Sequence, residues 1–300
     1  MATPGEIISF KGREYRLGEV IGYGYSGVVY GCSDDWGNLL VAKVISPKFE
    51  NDFERWNSEC QKLYEMRHPN ITHMHSAFAY NGEFFIILER CYCDITKMGS
   101  PFSLDFIYSI ARDVLQGLDW IHIHGFVHKD IHAGNIFYFR YLDSISQQFL
   151  EGGHFKIGDL GITKKQDYID PSAPSFAPWM IPPECLDLRF GQVSYVTDIY
   201  HVSLLLLALV HNRLSFNFSH RDIWNGEPER VALELQNPIG DVLARGVKRN
   251  THERYQSAFD FWQAINSTKN TMISTHPALP MLPYPPYPPA FPQTSTFDYP

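Results

Sequence analysis

Three hundred residues, 44% hydrophobic and 15% aromatic, carry enough apolar mass for one large core or two lobes, which excludes disorder for most of the chain. The formal net charge of −8 supplies no basic field, so nucleic acid and acidic membrane surfaces are not expected partners. Five cysteines (Cys32, Cys60, Cys91, Cys93 and Cys185), odd in number and without a C-x-x-C pair, point to reduced thiols in a cytoplasmic setting and not to disulfides or zinc.

The opening "MATPGEIISFKGREY" has no basic stretch followed by a long apolar run, so no secretory leader is expected and residues 1–14 are read as an extension. Short strand patterns follow to about residue 90: "EYRLGEVIGYG", "SGVVYGCSD", "NLLVAKVIS", "ITHMHSAFAY" and "EFFIILER". Between the third and fourth, Phe53, Trp56, Cys60, Leu63 and Tyr64 recur at helical spacing. From about 103 the pattern becomes helical, with Phe106, Ile110, Val114, Leu118 and Ile121 on one stripe. The apolar run "VSLLLLALV" at 202–210 is about half the length a membrane span needs and reads as a buried helix. Residues 269–300 are Pro-rich and are expected to form an extended polyproline-like tail.

Several stretches carry chemistry. Gly22, Gly24 and Gly27 in "GYGYSGVVYG" lie between two strand patterns, where a dinucleotide-binding turn would need a helix. They read either as a plain hairpin or as a loop whose side-chain-free backbone can approach a triphosphate. Lys43 interrupts the apolar strand "LLVAKVIS". A buried ammonium is costly, so it either snorkels from an edge or pairs with Glu59 while holding phosphates. In "VHKDIHAGNIF", Asp130 can orient and deprotonate an attacking hydroxyl, and Asn135 can offer a neutral oxygen to Mg²⁺. "KIGDLG" adds a second acid, Asp159. His122, His124, His128 and His132 could suggest zinc, but His122 and His124 are two apart on an expected helix and diverge.

Taken together these stretches resemble a eukaryotic-type protein kinase, with features similar to bacterial-type serine/threonine kinases in "ARGVKRNTHERYQSA". The resemblance covers 15–268 and implies an α+β, two-lobed kinase fold. Its N-lobe, 15–90, would be a small antiparallel sheet with one helix, and its C-lobe, 91–268, mainly helical. It also implies ATP and two Mg²⁺ as cofactors, a protein substrate and transfer of the γ-phosphoryl group to Ser/Thr hydroxyls. Asp130 would be the catalytic acid–base residue, Lys43 with Glu59 would hold the phosphates, and Asn135 and Asp159 would hold metal. Ile21, Gly22, Gly24, Gly27, Val29, Ala42 and Leu88 would line the nucleotide site, and the backbone of Glu89 and Cys91 would bond the adenine. Asp198 would receive catalytic-loop amides, and Arg254 would pair with Glu184 of "PPE".

There are departures from the pattern. Lys129 replaces the usual arginine and cannot form its bidentate fork. His132 stands where the serine/threonine class has lysine, and would offer positive charge to the transferring group. Ala177 occupies the place of that class's threonine, and "PWM" resembles the tyrosine class. Thr163, Tyr168, Ser172 and Ser175 are available for phosphorylation. The alternatives are a small-molecule phosphotransferase of the aminoglycoside or choline kinase type, whose loop also carries such a histidine, and an inactive pseudokinase scaffold. The 23 residues between Asn135 and Asp159 exceed the family's usual spacing and would extend a turn between strands. The tail could be a spacer, an autoinhibitory segment or a ligand for a proline-recognition module, though it lacks the basic residue many such modules use.

Overall fold

The computed structural model describes all residues except 1, 25–26, 141, 144–147, 150–151, 171–175, 177–179 and 274–300. The chain divides into two compact units. Among the described residues, one is built from the chain up to Cys60 with Met74–Tyr92, and the other from Gln61–His73 with residues 93–273.

The first unit is an antiparallel sheet of β1 (Ile7–Phe10), β2 (Arg13–Gly24), β3 (Gly27–Asp34), β4 (Leu39–Ile45), β5 (Met74–Tyr80) and β6 (Glu83–Glu89), in the order β1-β2-β3-β4-β6-β5. Period-two alternation sends Leu17, Tyr30, Ala42, Val44, Phe85 and Ile87 into one core. Burying each large apolar side chain there contributes roughly 1.5–3 kcal/mol. Helix α1 (Asp52–Glu65) begins in this unit. Its expected stripe is only partly buried: Phe53 is exposed and packs on Trp56 and Phe84, because the inward position is given to Glu59.

Ile7–Phe10 form the outer strand of the sheet, and Ala2 ahead of them is tied to the same unit. The Ala2 amide donates to the buried Glu83 carboxylate at 2.6 Å, and the Tyr30 hydroxyl donates to the Ala2 carbonyl at 2.8 Å. Ser46 donates to the other Glu83 oxygen, so this buried acid is hydrogen-bonded on both sides.

The second unit opens with β7 (Cys93–Asp94) and α2 (Leu104–Ile123), whose N-terminus is capped by Ser103 accepting the Phe106 amide at 3.2 Å. Its stripe of Ile110, Val114, Leu118 and Ile121 is fully buried. Next come β8 (Phe126–Val127), β9 (Ile136–Phe139), β10 (Leu142–Asp143), β11 (Gln148–Phe149), β12 (His154–Ile157) and β13 (Lys164–Lys165). β9 pairs with β12 and β7, and β8 with β13. The surplus between Asn135 and Asp159 is a hairpin extension in which β10 pairs with β11.

Helices α3 (Pro183–Leu186), α4 (Tyr195–Val210), α5 (His220–Asn225), α6 (Glu227–Leu233), α7 (Pro238–Gly246) and α8 (Ala258–Ile273) complete this unit. The apolar run at 202–210 falls in α4, where Leu205 to Leu209 are buried. Among the described residues, no helix is long and apolar enough to cross a membrane.

Candidate active site

In the first unit, the glycine-rich stretch joins β2 to β3, with Gly22 opposite Val29 and Gly24 opposite Gly27. The tip, residues 25–26, lies outside the described residues. Gly27 has a steric reason to lack a side chain, since a Cβ there would sit 2.3 Å from the Val44 carbonyl oxygen.

One strand further in, Lys43 pairs across the sheet with Val29 and Ile86. Its ammonium meets Glu59 Oε1 at 2.7 Å, and both side chains are buried. The snorkelling alternative is therefore excluded. Ala42 is fully buried between Tyr30 and Ile87, Val29 is half-buried and Ile21 is exposed. Leu88 and Glu89 end β6, and with Cys91 just beyond it they are half-buried.

In the second unit, the stretch after β8 is held from below by Asp198 of α4. Its carboxylate accepts the amides of His128 and Lys129, each at 2.8 Å, and His122 Nε2 at 2.9 Å. Burial acts to raise the Asp198 pKa, but His122, His128 and these amides outweigh it, and the group lies below its ordinary value. His122 is thus a structural partner of the loop. Nothing in its own spacing signals this; the histidine cluster read as possible zinc ligands disperses, and no group of three metal-ligating side chains exists among the described residues.

The next layer fixes the reactive groups. His128 is fully buried, accepts the Asp130 amide on Nδ1 at 3.2 Å and donates from Nε2 to the Gly158 carbonyl at 3.3 Å. Burial holds its pKa below the usual histidine value. Lys129, with a left-handed φ of 70°, turns the chain so that Asp130 emerges beside Asn135. Asn135 Nδ2 donates to the Asp130 carbonyl at 3.0 Å and to Asp130 Oδ2 at 2.9 Å, which leaves its own Oδ1 as an acceptor for a cation.

Register brings the second acid close. Ile136 of β9 pairs with Ile157 of β12, and the Gly158 amide donates to the Asn135 carbonyl at 2.9 Å. Asp159 follows with a left-handed φ of 55°, its Oδ1 accepting the Gly161 amide at 3.1 Å.

His132 Nδ1 accepts the Gly134 amide at 3.1 Å, so Nε2 carries the proton and lies 3.7 Å from Asp130 Oδ1. Burial pushes the Asp130 pKa upward, but His132, His128 and the Asn135 amide outweigh it and hold the carboxyl below its ordinary value.

Lys129 is buried, and burial, with Lys164 nearby, holds its pKa at about 8. Thr163 is fully buried and donates to the His128 carbonyl at 3.5 Å, so it is not available as a phosphorylation site. Tyr168 is exposed, whereas Ser172, Ser175 and Ala177 lie outside the described residues. Glu184 and Arg254, both buried, form a two-pronged pair at 3.0 and 2.7 Å.

Residues 15–267 match the model of the protein kinase domain. The chain belongs to the protein kinase domain family. Among curated relatives, the chain is 25% identical over 266 residues to the cell cycle serine/threonine-protein kinase CDC5/MSD2 of Saccharomyces cerevisiae, covering 82% of this chain and 35% of that protein. It is 26% identical over 251 residues to serine/threonine-protein kinase 4 homolog A of Dictyostelium discoideum, covering 79% and 49%. The chain spans half or less of the length of these relatives.

Among solved structures, the autoinhibited serine kinase domain of the giant muscle protein titin aligns with a TM-score of 0.66 at 23% identity, covering 87% of this chain and 82% of that one. The twitchin kinase region from C. elegans aligns with a TM-score of 0.67 at 21% identity, covering 83% and 45%. The fold is the protein kinase fold.

Proposed function

We propose that the chain is an ATP-dependent serine/threonine protein kinase and that Asp130, Asn135, Asp159, Lys43 and Glu59 carry the reaction. The observation with most weight is the pair of hydrogen bonds that the Asn135 amide donates to the carbonyl and carboxylate of Asp130. It locks the carboxylate in one orientation while turning an amide oxygen outward. Asp130, kept ionised by its surroundings, then accepts a hydrogen bond from the acceptor hydroxyl and takes its proton as the hydroxyl attacks. Lys43, fixed by Glu59, holds nucleotide phosphates. Ile21, Gly22, Gly24, Gly27, Val29, Ala42 and Leu88 surround the nucleotide, and the backbone of Glu89 and Cys91 pairs with its base.

The donor set fits Mg²⁺. Asn135 Oδ1 and the Asp159 carboxylate are hard oxygen ligands, too few for an all-protein cage and suited to an ion that keeps waters and phosphate oxygens. When bound, the ion neutralises charge on the transferring group. His132, with Nε2 beside the Asp130 carboxylate, positions that carboxylate.

The acceptor is a protein Ser/Thr hydroxyl, a reading supported by the serine/threonine kinases among the relatives. The compartment is the cytoplasm, consistent with five free cysteines. The proline-rich tail is a ligand for a proline-recognition surface. Nucleic acid is not a partner, given the net charge of −8.

Labelled ATP with generic protein substrates tests the reading. Wild type should label Ser/Thr, and Asp130→Asn should lose transfer by at least about 100-fold while retaining ATP binding. Equal labelling by Asp130→Asn, or labelling of aminoglycosides or choline in place of protein, would overturn it.

A further inference from the structure

Helix α4 fastens more than the loop that carries Asp130. Every residue from Val196 to Ser203 is buried, so this part of the helix is a close-packed, fixed base. Asp198 and His201 stand three residues apart and share one face. Asp198 holds the amides of His128 and Lys129. One turn further on, His201 Nε2 lies 2.9 Å from the carbonyl oxygen of Met180. A carbonyl only accepts, so Nε2 carries the proton. Nδ1 has no partner among the described residues, and burial holds the ring below the ordinary histidine value against the pull of Asp198, Glu184 and Asp130. The ring is therefore neutral, with its single N–H committed to Met180.

The stretch that His201 touches is short of other donors. Pro182 and Pro183 follow Met180 and have no amide hydrogen, so anchoring here falls to carbonyl groups such as that of Met180. His201 also meets Phe176, whose ring lies edge-on to it with centroids 5.7 Å apart. The Lys129 ammonium stands 5.9 Å from the same Phe176 ring, and Lys129 directly precedes Asp130. Phe176 thus borders the catalytic loop, and the buried side chain of Met180 lies four residues further along the chain.

Resting on the reading of Asp130 as the base of a protein kinase, we infer that His201 is a positioning residue for the protein substrate. It fastens Phe176 and Met180 to α4, the same helix that holds the catalytic loop, and so sets the surface against which the chain bearing the acceptor hydroxyl lies. His201 does not act on the reacting atoms. Asp130 is oriented separately, by Asn135 and by the loop amides on Asp198, so losing the His201 N–H should weaken substrate binding and spare the chemical step.

The test compares His201→Gln with His201→Asn in the full chain, with dephosphorylated casein as substrate. Glutamine carries its amide nitrogen about as far from the backbone as Nε2 lies, whereas asparagine, one carbon shorter, falls short of the Met180 carbonyl. One hydrogen bond of ordinary net strength corresponds to about two- to tenfold in affinity. His201→Asn should raise KM for casein by about that factor, with kcat and KM for ATP within about twofold of wild type, and His201→Gln should stay near wild type. Equal casein KM in the two variants, or a change in kcat or in KM for ATP as large as that in casein KM, overturns the inference.

Hydrogen–deuterium exchange of the peptide 180–187 reads the fastening without activity. Exchange should quicken by at least about threefold in His201→Asn and not in His201→Gln, and equal exchange in both removes the fastening. If a melting curve shows that His201→Asn does not fold, Phe176→Leu, at a half-buried position, takes its place and should raise casein KM by about two- to tenfold; an unchanged KM overturns the inference. A wild type that labels no protein at all overturns the kinase reading and the substrate role with it, whereas a wild type that labels casein with KM indifferent to His201 overturns the substrate role alone.

Discussion

Replacing Arg254 with methionine tests how the second unit is held together. The guanidinium has no solvent exposure and makes five hydrogen bonds: two to Glu184 and one each to the carbonyls of Val196, Lys248 and Arg249. Methionine fills much of the volume but leaves Glu184 buried with only Thr197 donating to it, at 2.7 Å. Stranding one partner of a buried ion pair costs about 3–5 kcal/mol, a large share of the roughly 5–15 kcal/mol that stabilises a folded protein. With a urea slope of about 1–3 kcal/mol per molar, the unfolding midpoint should fall by 1 M or more. Adding Glu184→Gln removes the stranded charge, so the double variant should be more stable than the sum of the single losses implies. A midpoint shift equivalent to less than about 1 kcal/mol for Arg254→Met, or strict additivity in the double variant, would refute this account.

Other outcomes follow from the geometry. His132→Ala should lower kcat roughly 10- to 100-fold through misplacement of Asp130 while KM for ATP stays nearly constant; parallel changes in both would mean the histidine binds nucleotide instead. Lys129→Met should raise stability at pH 7 by an amount on the order of 3 kcal/mol, because the folded pKa of about 8 lies far below the 10.5 of a free lysine; a lower melting temperature would contradict that. His128 and His201 are held below the ordinary histidine value, first by burial, so the unfolded chain binds more protons as pH falls through about 6.5. Stability should therefore decline from pH 7 toward pH 5, and a melting temperature that stays flat over that range would show that these groups do not couple to folding.

Much of the site was legible because its residues are punctuated locally. A lysine inside an apolar strand, glycines between strands and an acid beside glycine each violate a simple pattern, and such violations mark chemistry. The pairing of Lys43 with Glu59 could be read because a buried charge demands a partner of opposite sign, whereas that of Glu184 with Arg254 was implied only by the resemblance to the kinase pattern. What escaped were contacts whose logic is geometric. That His132 spends Nδ1 on the Gly134 amide and turns Nε2 toward Asp130 depends on how one turn closes. The inward turn of Thr163 and the role of His122 under Asp198 depend on elements distant in sequence. The exposure of Phe53 shows the converse, since helical spacing alone cannot tell that a glutamate outranks a phenylalanine for the inner face.

The first strand has a practical consequence for fragments of this protein. The family match begins at residue 15, yet β1 covers Arg13 to Arg16 of β2. A fragment cut at 15 would leave the start of the twelve-residue β2 as an open edge, with backbone groups ready to pair with another molecule. It would also remove the amide that meets Glu83 and the carbonyl that meets Tyr30, leaving a buried acid short of a donor. Such a fragment is expected to self-associate through the uncovered stretch of β2, whereas one beginning at residue 2 keeps β1 paired over it.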